Sequence, residues 1–551
     1  MKNRVRFAPS PTGNVHIGNI RTAIFNYLFA RSTGGEFILR VEDTDKERST
    51  QGAIDRLLEC MEWLGLDCDG EFYYQSQHEE EHVNTAKKLL DEQKAYFMPV
   101  KEGEKSPILF RIPWNDNKNI RSVSNVELEI HPESELKIDL TGVRFCTISK
   151  KGKPVENFAS LAGFRELKIY DTDNNIIFSI EENINDIISN KKSFTFEACS
   201  KISFLRREVY YSDLIKGELA KPLDGMKDLI VVRGNGSPVF HLANVYDDIK
   251  QGVTHIIRGD DHVENTYRHI LLFDALGVEI PHYAHMPMIV NRSGKPYSKR
   301  DGDAFVGDFK EKGYLSAALF NYLSLLGWSP GNDREKMSID ELVNSFTLAR
   351  VKSSPAQFDM NKLLNLNALY MSEVDKDSFT KNAYEEAVKQ GWCNDIQLSK
   401  FEEIAEFMQS RTKLYSQVSD WKYFFFDDSS FFDTAENIET NLVDKKYEYD
   451  LKAAKKTFKK METTKALSLF KSKLSELPES MSESDYEKTI TLSQQEADLP
   501  EGKLNQPVRI AVTGKSGGAD LFKTLTLIGR DKIIYRIGKV LDIAEGMINN
   551  G

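Results

Sequence analysis

The sequence predicts a multidomain α/β protein: a parallel-sheet body interrupted by a β-rich insertion and followed by an all-α region. Three observations carry this. Residues 1–98 alternate short apolar strands with amphipathic helices, a texture that returns near 206. Residues 100–205 hold segments such as VELEIH, ELKIDL, RELKIY and NIIFSI, which alternate apolar and polar residues between Asn/Asp/Lys/Gly turns. Beyond about 310 the pattern is helical, from LSAALFNYLSLLGW to LFKTLTLIGRDKIIYRIGKVLD. At 551 residues the chain exceeds what one core supports.

In chain order, Val5–Ala8 is a short apolar run broken by Pro9, Pro11 and Gly13, which force a turn. From Ile20, Ala23, Ile24, Tyr27 and Leu28 fall on one helical face, so His16 and Gly18 stand at a helix entrance, where unpaired N–H groups suit a phosphate. FILRVEDTD (37–45) reads as a buried strand ending in acids, which puts Glu42 and Asp43 beyond a carboxyl end, where ligands of such sheets sit. AIDRLLECMEWLG (53–65) is a helix closed by Gly65, and HVNTAKKLLDEQK (82–94) is another.

HIIRGDDH (255–262) finishes a strand and turns into a helix with Arg258, Asp260, Asp261 and His262 in the turn. An arginine there suits a carboxylate, and the acids suit ribose hydroxyls. SGKPYSKRDGDAF (293–305) crowds Lys295, Lys299 and Arg300 into a Gly/Pro loop, the chemistry wanted by a triphosphate. Each segment alone is equally compatible with a capped helix, a surface acid cluster or a solvated basic loop. In the Lys-rich stretch 445–460, Leu451, Ala454, Phe458 and Met461 have helical spacing, which favours a solvated helix over an RNA patch.

Composition narrows the class. The formal charge of −11 argues against non-specific coating of nucleic acid, without excluding a nucleic-acid partner on local basic patches. No apolar run is long enough to span a bilayer and the first 30 residues lack a signal-peptide pattern, so a cytoplasmic protein is expected. Five irregularly spaced cysteines suit a reducing compartment. Cys60, Cys68, His78 and His82 are too widely spaced for zinc, and no zinc is expected. TGKSG (513–517) lacks the glycine a phosphate loop needs five residues earlier, where Arg509 stands.

Taken together and in order, APSPTG…HIG, VEDTD, FHLANVYDD, IRGDDH and YSKRDG resemble the bacterial glutamyl-tRNA synthetase family. The resemblance runs over 3–98 and from 206 to about 370, and more weakly to the end through VRIAVTG. It implies a class I Rossmann-type catalytic domain in two halves (1–100 and 206–310) around a connective region (101–205). A helical stem-contact region (311–370) and a helical anticodon-binding domain (371–551) would follow.

It further implies ATP with Mg²⁺, L-glutamate and tRNA(Glu) as partners, activation that depends on bound tRNA, and a monomer away from membranes. Carried over by position, His16 and Lys299 are the catalytic residues. Gly18, Asp261, His262, Ile289 and Ser298 join them around ATP, and Arg6, Ala8, Ser10, Glu42, Phe240, Asn244 and Arg258 form the glutamate pocket. Glu42 faces the substrate ammonium, and Arg6 is favoured for the side-chain carboxylate.

Three departures stand out. Pro296-Tyr297 precede Ser298-Lys299, leaving Lys295 to replace a missing first lysine. Phe240 stands where relatives carry tyrosine, and 118–205 replaces the usual connective region. Glutaminyl-tRNA synthetases read Pro-Glu-Pro-Asn-Gly in the first motif with aspartate at the Glu42 position, so PSPTG and VED favour glutamate. A paralogue that glutamylates a modified tRNA base ends after the catalytic domain, and a catalytically dead RNA-binding relative would not retain His16, Glu42, Arg258 and Lys299.

Overall fold

The computed structural model describes residues 2–549 apart from 12, 45–48, 99, 101, 132–134, 140–141, 149–153, 190–192, 394–397, 426–442, 445–446 and 449. Asp45 of the VEDTD motif thus lies outside the described residues. The chain divides into two compact units, Met1–Phe309 with Leu319–Asp359, and Lys310–Ala318 with Met360–Gly551. The segment 311–370, read from sequence as one region, is shared between them.

The first unit is built on parallel strands. Arg4–Phe7 pairs with Glu36–Val41, Val5 opposite Phe37 and Phe7 opposite Leu39, and Tyr73–Tyr74 lies beyond. On the other side the Thr254 N–H donates to the Arg4 carbonyl at 2.9 Å, bringing in His255–Gly259. That strand pairs in parallel with His282–Met286, which meets the end of Lys201–Asp213 at Tyr283. Val5, Phe37, Leu39, Ile256 and Ile257 are buried, as strands covered by helices on both faces require. Helices Ile17–Ser32 and Val263–Ala275 start just past carboxyl ends of this sheet.

The β-rich insertion is present. Lys201–Asp213 pairs antiparallel with Ile120–Glu129 along most of its length and with Arg165–Tyr170 on its other side. A second sheet holds Phe194–Phe196, Leu136–Asp139, Gly142–Ile148 and Pro154–Ala159 in that order. The alternation read in RELKIY is the cause: Leu167 and Ile169 are buried in a core with Phe164, Phe178, Ile202 and Phe204.

The second unit is mainly helical around Phe379, Phe401, Trp421, Phe470 and Tyr486. Two sequence readings resolve here. Ala454 and Phe458 are buried on helix Leu451–Phe458, but Met461 is 71% exposed and opens the next helix, so it does not share their face. The helix breaks at Lys460, which caps its successor. Gly514 of TGKSG has φ +70° and ends helix Asn505–Thr513, a left-handed cap that favours glycine.

No helix among the described residues is long and apolar enough to cross a membrane, and none of their His, Cys, Asp and Glu side chains form a group of three or more able to hold a metal ion. His82 instead meets the Asp247 carboxylate at 2.7 Å.

Candidate active site

The carboxyl edge of the parallel sheet opens into a cavity of about 530 Å³. Arg6, Ala8, Ser10, His16, Gly18, Glu42, Phe240, Asn244, Arg258, Asp261, His262 and Ile289 all line it. Ser298 and Lys299, expected around ATP, do not. The reason is the loop that carries them. Asn291–Pro296 is a tight hairpin, closed by the Asn291 N–H donating to the Lys295 carbonyl (2.8 Å). Ser298 then donates from its N–H and Oγ to Asp301 Oδ2, both at 3.0 Å. Lys299 follows in this turn, and its ammonium lies 4.3 Å from the centroid of the Phe305 ring. Phe305 meets the His16 ring edge-on at 5.9 Å, so one phenyl ring touches the key side chains of both basic motifs.

The first motif is set by local geometry. His16 caps helix Ile17–Ser32, its Nδ1 accepting the Gly18 N–H at 3.1 Å. Burial lowers the pKa of the ring against an opposing backbone hydrogen bond at Tyr297, so it is neutral near pH 7. With Nδ1 an acceptor, the ring proton sits on Nε2, the nitrogen left to meet the Tyr297 backbone. A side chain at position 18 would press within 3.3 Å of His16 Nδ1. Glycine keeps both the cap and the approach to the helix N-terminus open.

A buried ionic network forms part of the wall. Asp248 Oδ1 accepts from Arg6 Nε (2.9 Å) and from Arg40 (2.7 Å), and Asn244 Nδ2 donates to Glu42 Oε1 at 2.7 Å. Arg40 also reaches Glu42 at 3.4 Å. Asn244 and Asp248 are four residues apart on helix Phe240–Lys250 and so point the same way. Arg6 therefore uses its Nε edge on Asp248 while its side chain lines the cavity. Burial raises the pKa of Glu42 in spite of Arg40 and Arg6, which makes an incoming cation a favourable partner for its ionised form.

Arg258 donates to Thr266 Oγ1 (2.6 Å) and to His285 Nε2 (3.3 Å), and burial lowers its pKa. Asp43, paired with Glu42 in the sequence reading, instead accepts from the Ser76 N–H and Oγ (2.8 and 2.7 Å) and holds a turn.

Sequence reasoning assigned no role to Arg40 and Asp248, although FILRVEDTD contains the first and FHLANVYDD the second. A signal existed: Arg40 lies two residues from Glu42 on one strand face, and Asp248 lies one helical turn from Asn244. It also missed Arg21, Thr22, Met288 and Tyr297, which line the cavity. Arg21 and Thr22 sit one turn after Gly18, but nothing in an apolar helix marks a face turned toward a ligand.

The chain matches the family model for the catalytic domain of class I tRNA synthetases (E and Q) over residues 2–104 and 179–365, and an anticodon binding domain over 378–541. It is 31% identical over 548 residues to glutamate–tRNA ligase 2 of Thermoanaerobacter pseudethanolicus, with 99% of each chain covered. It is 32% identical over 539 residues to glutamate–tRNA ligase of Bacillus subtilis, with 98% of this chain and 99% of that one covered.

Two solved structures share the fold at a TM-score of 0.65. A glutamate–tRNA ligase of Elizabethkingia meningosepticum in complex with its amino acid is 23% identical, covering 98% of this chain and 99% of that one. A glutamate–tRNA synthetase of Elizabethkingia anophelis is 24% identical, covering 98% and 100%. The chain belongs to the class I tRNA synthetases of the E and Q type, a family of ATP-using aminoacyl-tRNA ligases.

Proposed function

We propose that this ligase is a glutamate–tRNA ligase that activates L-glutamate with ATP and passes it from the adenylate to the 3′ end of tRNA(Glu). One observation carries the choice of substrate: two buried arginines, Arg6 and Arg258, and one buried carboxylate, Glu42, line the same cavity. Two guanidiniums and a carboxylate complement the two carboxylates and one ammonium of glutamate. Glutamine offers one carboxylate fewer and would leave a buried guanidinium without its counter-charge. The names of the full-length relatives agree with this reading.

In the proposed reaction the α-carboxylate of glutamate attacks the α-phosphorus of ATP, pyrophosphate leaves, and the terminal ribose hydroxyl of tRNA then attacks the adenylate carbonyl. ATP enters with its Mg²⁺ as substrate. No side-chain nucleophile is needed, so positioning and charge neutralisation carry the rate. His16 and the N-terminus of its helix face the phosphates, with Asp261, His262 and Ile289 around the adenosine and Ser298 beside Lys299 on the basic loop. Ala8 and Ser10 form the turn over the amino acid, and the helical 371–551 region reads the anticodon. The enzyme acts as a monomer in the cytoplasm.

The test is charging of purified tRNA(Glu) and tRNA(Gln) with labelled glutamate and glutamine, together with ATP–pyrophosphate exchange with and without tRNA. Glutamate charging of tRNA(Glu) is the expected result. Charging with glutamine alone would overturn the assignment, and absence of exchange under every condition would mean that the site is inactive.

Phe240 supplies a further prediction. Its ring lines the cavity beside the His262 ring at 6.3 Å and has no hydroxyl to offer. Phe240→Tyr is expected to lower the KM for glutamate up to about fivefold, the effect of one neutral hydrogen bond of about 1 kcal/mol. An unchanged or raised KM in exchange assays would mean that the pocket has packed around the smaller ring.

A further inference from the structure

Arg258 differs from Arg6 in how it is held. Arg6 rests on a carboxylate, whereas Arg258 donates to His285 Nε2 (3.3 Å), Thr266 Oγ1 (2.6 Å) and the His262 carbonyl (3.4 Å), all neutral acceptors. Among the described residues no ion pair joins it to an acid. A guanidinium has no lone pair to share, so His285 Nε2 must be an acceptor and the ring proton must lie on Nδ1. Nδ1 faces Asp213 Oδ2 at 2.6 Å, and both side chains are completely buried.

Asp213 is itself fixed. Its Oδ1 accepts the N–H groups of Ile215 and Lys216 at 2.9 Å, and its Oδ2 accepts the His285 N–H at 3.1 Å. It is the last residue of Lys201–Asp213, a strand laced into the insertion's sheet from Lys201 to Val209. Tyr283 stacks on the His285 ring with an interplanar angle of 6°, and the Tyr211 hydroxyl lies 3.5 Å from Nδ1.

We propose that Asp213 and His285 are positioning residues for substrate recognition. The Asp213 carboxylate fixes the Nδ1–H tautomer of His285, and His285 Nε2 then aims the Arg258 guanidinium at a carboxylate of the amino acid. This rests on the reading that Arg258 binds that carboxylate. The pair anchors an otherwise unpaired buried cation without neutralising it, so the positive charge stays available to the substrate. A direct Asp–Arg258 contact would hold the side chain as well but would compete with glutamate. The geometry also gives the insertion a mechanical part, because the strand it braces ends on the residue that starts this relay.

The experiment is ATP–pyrophosphate exchange by the full-length enzyme with tRNA present, measuring KM for glutamate and for ATP in His285→Asn, His285→Gln and Arg258→Lys. An Asn amide reaches only the Nδ1 position, whereas a Gln amide reaches that of Nε2 and can accept from Arg258. His285→Asn is expected to raise the glutamate KM about tenfold, as loss of a hydrogen bond to a charged group does, with the ATP KM within about twofold of wild type. His285→Gln should recover most of that loss.

A folded His285→Asn with an unchanged glutamate KM would overturn the proposal, as would equal increases in both KM values for Asn and Gln alike. Should His285→Asn not fold, Asp213→Asn replaces it: the turn keeps its acceptor but loses its charge, and an unchanged glutamate KM again overturns the relay. Arg258→Lys separates the two layers. If it leaves the glutamate KM unchanged, the pocket reading fails. If it raises KM while the His285 variants do not, only the relay fails.

Discussion

Lys299→Ala is expected to lower glutamyl-adenylate formation by about 100-fold or more, while tRNA affinity stays within about twofold. A preorganised cation acting on charge that grows at the phosphates contributes 10²–10³ in rate in comparable sites. The structure gives the cation a resting place. Lys299 is exposed, and its ammonium lies over the Phe305 ring, which meets the His16 ring edge-on. One phenyl ring thus separates the lysine from His16, the residue proposed to face the phosphates. Exposure leaves the lysine accessible to an incoming triphosphate. ATP–pyrophosphate exchange and filter binding of tRNA measure the two quantities. A variant with near-normal exchange would transfer the role to Lys295, exposed on the adjoining hairpin.

Asp248→Ala is expected to destabilise the first unit by about 3–5 kcal/mol, the effect of removing one partner from a buried ionic cluster. Asp248 is the shared counter-ion of Arg6 and Arg40, with all three side chains buried. Its loss leaves the guanidiniums of Arg6 and Arg40 without their shared hydrogen-bonded carboxylate, and the neighbouring Glu42 is itself costly to ionise there.

The pH dependence has a definite sign. Burial alone would push the Asp248 carboxyl up, but Arg40 and Arg6 outweigh that and hold it below the usual range. Its stabilisation is therefore fully present above the ordinary aspartate value of about 4 and fades as pH falls through the lowered native value. Urea unfolding of wild type and variant should show a gap that is constant from pH 5 to 8 and narrows only in more acid solution. Because the chain has two compact units, the shift belongs to one of the unfolding transitions. An unshifted midpoint for both transitions would mean that the two arginines find other partners.

The sequence by itself determined the parts whose causes are local. His16 caps a helix two residues ahead of its own hydrogen-bond donor, and that cap depends on the order His-Ile-Gly, not on distant packing. Glu42 follows an apolar strand and so emerges at its carboxyl end. Alternation in RELKIY fixes which side chains face the insertion's core. These features survive translation from sequence to structure because their periods, 2 and 3.6 residues, are written along the chain.

Tertiary structure decided what depends on two distant segments meeting. Arg40 looks like a polar break in an apolar strand until Asp248, 208 residues later, closes on it at 2.7 Å. Asp213 and His285 belong to no motif and become a pair because the strands that carry them lie side by side. Lys299, legible as a cation, does not line the cavity but lies over Phe305, on a loop that Asn291, Ser298 and Asp301 tie to itself. Met461 leaves the face of Ala454 and Phe458 because the helix ends before it. A buried charge is tolerated only where its partner arrives, and which partner arrives is a property of the packed sheet, not of the residues beside it in the chain.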